Sequence, residues 1–144
     1  MIPRPSRAAL GLLLGDTLVL VAFVLVGMGN HDTLAQTNAV YRFAVLAGPL
    51  LLTWLGAATA QGAWSVALPL TWRVMWGRTL AAWLIAAPLA LLLRALLLGA
   101  ATLIVPFMLV TLGLGGALLL AWRSVYRWAI VRRASRAVAA HPAP

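Results

Sequence analysis

Two carboxylates, two histidines and eleven arginines carry nearly all the ionisable chemistry of this 144-residue chain, which has no lysine and no cysteine. Asp16 lies inside an apolar run from about Ala8 to Gly29, and Asp32 closes the Asn30-His31-Asp32 sequence that ends the run. Two acids can share acid–base work only when they meet over one substrate, and these fall on opposite sides of the apolar segment. A Ser-His-Asp relay would need Ser65 or Ser124 beside His31, yet both serines map to the side opposite the histidine. Bis-histidine haem ligation is excluded within one chain, because the second histidine, His141, lies in the tail. His31 could serve as a single axial ligand to a pigment or metal, although a histidine beside aspartate at a helix end is more often a hydrogen-bonded cap. No phosphate loop, zinc-ligand spacing or dinucleotide fingerprint is present. The missing cysteines remove thiolate metal sites and thiol catalysis. These residues predict no catalytic site and no metal site, and they point away from an enzyme. The cofactor is left unspecified, with His31 as the one candidate ligand.

The elements that must position these groups follow from composition. The chain is 64% hydrophobic and 9% charged, with a mean hydropathy of +1.00. It lacks the polar residues to cover a water-soluble domain of this size. Four apolar runs each approach the roughly 20 residues that cross a bilayer as a helix. They are continuous rather than alternating, which argues against a β-barrel. The expectation is an all-α polytopic membrane protein forming one domain over residues 1–144. Its transmembrane helices fall at about 8–29, 43–64, 79–98 and 103–122, followed by a basic interfacial tail over 123–144. Arg4 and Arg7 before the first run resemble a secretory signal, but the run is long, contains Asp16 and lacks a convincing cleavage site, so a retained helix is expected. Gly11 and Gly15 on helix one form a small-x-x-x-small pair, suited to a neighbouring helix of the same chain. Gly48, Gly56 and Ala60 supply a small-residue stripe on helix two, and Pro49 is expected in its first turns. Pro88 falls near the middle of helix three and should kink it. A net charge of +9 would suggest nucleic acid in a soluble protein. Here the arginines flank apolar runs, so anionic lipid is the expected partner and nucleic acid is not.

Arginine counting sets the expected orientation. With the N-terminus inside, Arg4, Arg7, Arg73, Arg78, Arg123, Arg127, Arg132, Arg133 and Arg136 share one side, and only Arg42 and Arg94 belong to the other. This bias places both termini in the cytoplasm and the protein in the inner (plasma) membrane. Arg123, Arg127, Arg132, Arg133 and Arg136 would form a lipid-facing basic tail. Buried charges need partners. At 1.5 Å per residue, Asp16 lies roughly 12 Å and Arg94 roughly 22 Å from the cytoplasmic ends of their helices. Two clusters are therefore expected rather than one pair. The inner would gather Asp16, Thr59, Gln61 and Arg78, and the outer His31, Asp32, Arg42 and Arg94. Their expected role is to neutralise charge and hold helix register; the alternative is a proton, ion or polar-ligand site.

In pattern, the chain resembles a family of small four-helix prokaryotic membrane proteins that carries a domain-of-unknown-function label. The likeness rests on Asp16, on Gly27-Met28-Gly29-Asn30-His31-Asp32, on Leu92-Leu93-Arg94, on Pro106-Phe107 and on Leu120-Ala121-Trp122-Arg123. It covers most of residues 10–123. The family usually has a basic residue just after the glycine before the histidine and often an acid after His-Asp; this chain has Met28 and Thr33 there. The resemblance implies a membrane bundle and leaves function open. The expected role is a structural or accessory subunit, packing in a homo-oligomer or with the chains of a larger membrane complex. The alternative is a small oligomeric transporter or channel that uses Asp16 with Arg94 or His31.

Overall fold

The computed structural model describes residues 7–30, 37–64, 71–99 and 105–140. Among them the chain is all helix: α1 (Arg7–Asn30), α2 (Ala39–Ala60), α3 (Trp72–Leu97), α4 (Val105–Val110), a π turn over Thr111–Gly115, and α5 (Gly116–Ala140). Four segments are long and apolar enough to cross a membrane, the fourth running through the π turn from Met108 to Arg133. Only 28–39% of each apolar window is buried within the protein. Leu14, Leu18, Val26, Leu52, Leu84 and Leu96 stand outward and exposed. In water such a perimeter would aggregate; in a bilayer it is the solvent-facing surface.

The first and fourth spans run antiparallel. Tyr126 on α5 donates its hydroxyl to the Ala8 carbonyl on α1 at 2.7 Å. Further along α1, Gly15 faces the Trp122 ring, so numbers fall on α5 as they rise on α1. The expected packing role of Gly11 and Gly15 holds: Gly11 faces the Tyr126 side chain and Gly15 that of Trp122, within one chain. A β-carbon at either position would collide with those rings.

α2 and α3 depart from the expected bounds. α2 begins and ends four residues earlier than expected. Its stop is set by Gly62, whose φ of 59° is a left-handed conformation. The amides of Gly62 and Ala63 then bond back to the carbonyls of Thr59 (3.0 Å) and Ala58 (2.8 Å), a glycine-terminated helix end that satisfies the last carbonyls. Pro49 consequently lies mid-helix, not in the first turns. The stripe of Gly48, Gly56 and Ala60 points outward, whereas Ala47, Leu50, Trp54, Ala57 and Ala58 face the core. α3 starts at Trp72, because the Trp-Arg stretch expected as an interfacial connection continues the helix. α2 and α3 form the most extensive helix pair. Their interface is rich in alanine, with Ala57 and Ala58 on one side and Ala82, Ala86, Ala87 and Ala90 on the other, all buried.

The fourth span is broken by the π turn. A π turn leaves a carbonyl without its regular helical donor. The Trp83 indole donates to Leu112 O in that turn at 2.9 Å. A β-carbon on Gly115 or Gly116 would come within 2.6 or 2.9 Å of the same ring. These glycines make room for the tryptophan that caps the turn.

Candidate functional site

Asp16 is fully buried on α1, and a buried arginine answers it. That arginine is Arg123 on α5, 1% exposed, whose Nη2 donates to Asp16 Oδ2 at 2.5 Å. Arg123 Nε lies 3.2 Å from both carboxylate oxygens. Trp54 Nε1 on α2 donates to Oδ2 at 3.3 Å. The remaining side of the guanidinium is used as well: Nη1 donates to Ala63 O at 3.0 Å and to Thr79 Oγ1 at 3.2 Å. Its carbon sits 5.2 and 5.3 Å from the rings of Trp54 and Trp64, within cation–π range. Trp122 also borders the carboxylate, but its indole nitrogen does not close a hydrogen bond. One ion pair thus draws on α1, α2, α3 and α5 and on the turn after α2. A planar, permanently charged fork suits this, since lysine could not bridge a carboxylate, a carbonyl and a hydroxyl in one plane.

This corrects the expected inner cluster. Thr59 is exposed; its hydroxyl donates to Leu55 O at 2.6 Å and accepts from Trp64 Nε1 at 3.0 Å. Arg78 Nη1 donates to Gly62 O at 3.1 Å, helping to hold the end of α2. Gln61 is the residue that follows α2, at the helix end. These three sit around the turn after α2, whereas Asp16 is met by Arg123 and Trp54. Arg123 is also corrected, because it is not a lipid-facing tail residue. α5 continues unbroken to Ala140, so Arg123 lies inside the span and its side chain enters the core. Arg127 is half-buried, 5.1 Å from the Trp72 ring. Arg132, Arg133 and Arg136 are exposed, with Arg132 stacked 3.8 Å over Trp128. Arg123 follows Trp122 and precedes Tyr126, the two side chains that fill the gaps at Gly15 and Gly11, and this packing of α5 on α1 is what sets it beside Asp16.

At the opposite end of the bundle, a cavity of about 500 Å³ opens between α1, α2, α3 and the fourth span. Arg42 and Arg94 both line it, with Asn30, Asn38 and Thr111. The structure therefore brings two members of the expected outer cluster to one cavity. The other two, His31 and Asp32, lie outside the described residues. Arg42 Nε donates to Asn38 Oδ1 at 3.2 Å. Among the described residues no group of three or more histidine, aspartate, glutamate or cysteine side chains could hold a metal.

No match to the chain is found among the curated proteins or the solved structures. The family described as "Protein of unknown function (DUF3054)" matches residues 13–126. That stretch contains Asp16, Trp54 and Arg123, and also the cavity-lining Arg42 and Arg94. The match runs through all four apolar spans, and the chain belongs to this family of unknown function.

Proposed function

We propose that this protein is a non-catalytic structural or accessory component of a membrane assembly, packing through the outward face of α2 against a second copy or a larger complex. One observation carries the proposal. Ala44, Gly48, Leu52, Gly56 and Ala60 recur at four-residue steps along that face, and all are exposed. Around Gly48 and Gly56 there is open space where a side chain would be. Helices in lipid associate by close backbone approach at such small residues. The buried acid supports the same reading, because Asp16 is occupied in joining four helices and not left open to a solute. In this proposal both termini are cytoplasmic, the membrane is the plasma membrane, and Arg132, Arg133 and Arg136 face anionic lipid.

The test is purification of the tagged protein from its native membrane in mild detergent, with mass analysis of what accompanies it. A stoichiometric homo-oligomer or larger complex is expected. Gly48→Leu with Gly56→Leu should release the chain as a folded monomer, because nothing inside the protein occupies those positions. A wild-type chain that runs alone as a monomer in every mild detergent and in lipid nanodiscs would end the proposal. The transporter reading retains one observation in its favour, the arginine-lined cavity. It requires solute or ion flux in vesicles that Arg94→Gln abolishes without loss of insertion.

A further inference from the structure

We propose that the cavity bordered by Arg42 and Arg94 is a binding site for a single-chain amphiphile with an oxyanion head, a carboxylate or a phosphate, drawn from the bilayer. This is independent of the assembly role proposed above.

The cavity is in the size range of small-molecule sites, which run from about 300 to 1,000 Å³. Its deep wall is apolar, with Val24, Leu50, Ala90 and Leu91 all buried. From Arg42 to Leu50 on α2 it extends about 12 Å along the helix, at 1.5 Å per residue. Its polar lining is grouped toward the end where α1 stops and α2 begins, at Asn30, Asn38 and Arg42. Polar at one end and apolar along its length, it has the division of an amphiphile.

The charge of the head follows from the lining. Among the described residues that line the cavity, the two charged side chains are both arginines, beside the phenol of Tyr41, and none is a carboxylate. Arginine forks bind carboxylate and phosphate oxygens bidentately. The bond from Arg42 to Asn38 uses only Nε, one of the five guanidinium N–H groups. Arg94 is half-buried near the end of an apolar span. Ionisable residues at such depth characteristically face a cavity or a pathway.

Access and adaptability are built in. Val26, Val110 and Leu114 line the cavity yet are 63%, 54% and 52% exposed on the protein's perimeter. The cavity therefore opens sideways toward acyl chains. Thr111 and Leu114 belong to the π turn, and such turns recur at functional sites. Gly27 also lines the cavity, with nothing within 4 Å of where its side chain would be.

The test uses the full chain in dodecyl maltoside, with laurate, dodecyl phosphate, dodecyltrimethylammonium and inorganic phosphate as probes and equilibrium binding as the readout. Laurate or dodecyl phosphate should bind saturably at one per chain, and the two arms identify the head group. The cationic analogue and inorganic phosphate should not compete at matched concentration. Arg94→Gln should weaken binding on the order of tenfold or more, as expected for lost charge-assisted hydrogen bonds. Gly27→Phe, which fills the cavity from open space and leaves both arginines in place, should abolish binding while the protein elutes as a folded species. The proposal is overturned if neither amphiphile binds, if the cationic analogue competes equally, or if Gly27→Phe binds as wild type. Inorganic phosphate binding as tightly as dodecyl phosphate would also overturn it, because the tail would then contribute nothing.

Discussion

Asp16 and Arg123 stand 107 residues apart in the chain and share one buried site. Each ion depends on the other, since an unpaired charge in an apolar interior is far costlier than a paired one. Asp16→Asn or Arg123→Gln alone should each destabilise the fold by about 3–5 kcal/mol, the range for breaking a buried pair. Asp16→Leu combined with Arg123→Met should lose much less than the sum of two single losses. The double variant should still fall short of wild type by about 1–3 kcal/mol, because the Ala63 carbonyl then loses its donor. Denaturant titration of the purified protein in micelles gives all three values, and strictly additive losses would show that the pair is not a unit. At Trp83 the critical atom is the indole nitrogen. Trp83→Phe keeps the ring but leaves Leu112 O without its donor, so a loss of about 1–3 kcal/mol is expected in the same titration.

The helices differ in how they meet their neighbours. α1 and α5 approach through glycine against aromatic rings, whereas α2 and α3 approach through alanine. Gly15→Ala should therefore cost about 1–3 kcal/mol, the usual price of overpacking, since its β-carbon enters the Trp122 ring. Gly48→Ala should be neutral or stabilising by up to about 1 kcal/mol in the monomer, because its surroundings are empty and alanine is the better helix former. Opposite signs from the same chemical change, read by thermal unfolding in detergent, would confirm which glycine face is internal. The π turn follows the same logic: the glycines at 115 and 116 admit Trp83, and Trp83 in turn satisfies the irregular backbone.

Across the whole molecule, charge is divided between the ends of the bundle. Exposed arginines extend from α5 beyond the Asp16–Arg123 centre, and the cavity end carries Arg42 and Arg94. If the proposed orientation holds, a cysteine at Ser135 should react with an impermeant maleimide only from the cytoplasmic side. A cysteine at Val40, 84% exposed at the other end, should react only from outside. The chain has no cysteine of its own to confuse the result. Labelling of both positions from the same side would reject the arrangement.

Much of this architecture was legible in the residues. Length and hydropathy determined four helical spans, because a chain this apolar can satisfy its backbone in lipid only by internal hydrogen bonds. Asp16 was recognisable as a group needing a partner, since desolvation acts on it wherever its neighbours come from. The Gly11–Gly15 pair was readable too, because glycine spacing reports a close approach without naming what approaches. The partner itself was not. Arg123 reads as an interfacial residue when apolar runs are counted, and only the antiparallel register of α1 and α5 brings it to the depth of Asp16. α1 is apolar on every side, so periodicity could not say which face was buried. The ends of α2 and α3 were misplaced because a positive φ at Gly62 and a helical Trp-Arg stretch are settled by contacts made across the bundle. The cavity belongs to tertiary structure alone: its walls come from four spans, and its two arginines, 52 residues apart, line one cavity only when those spans assemble.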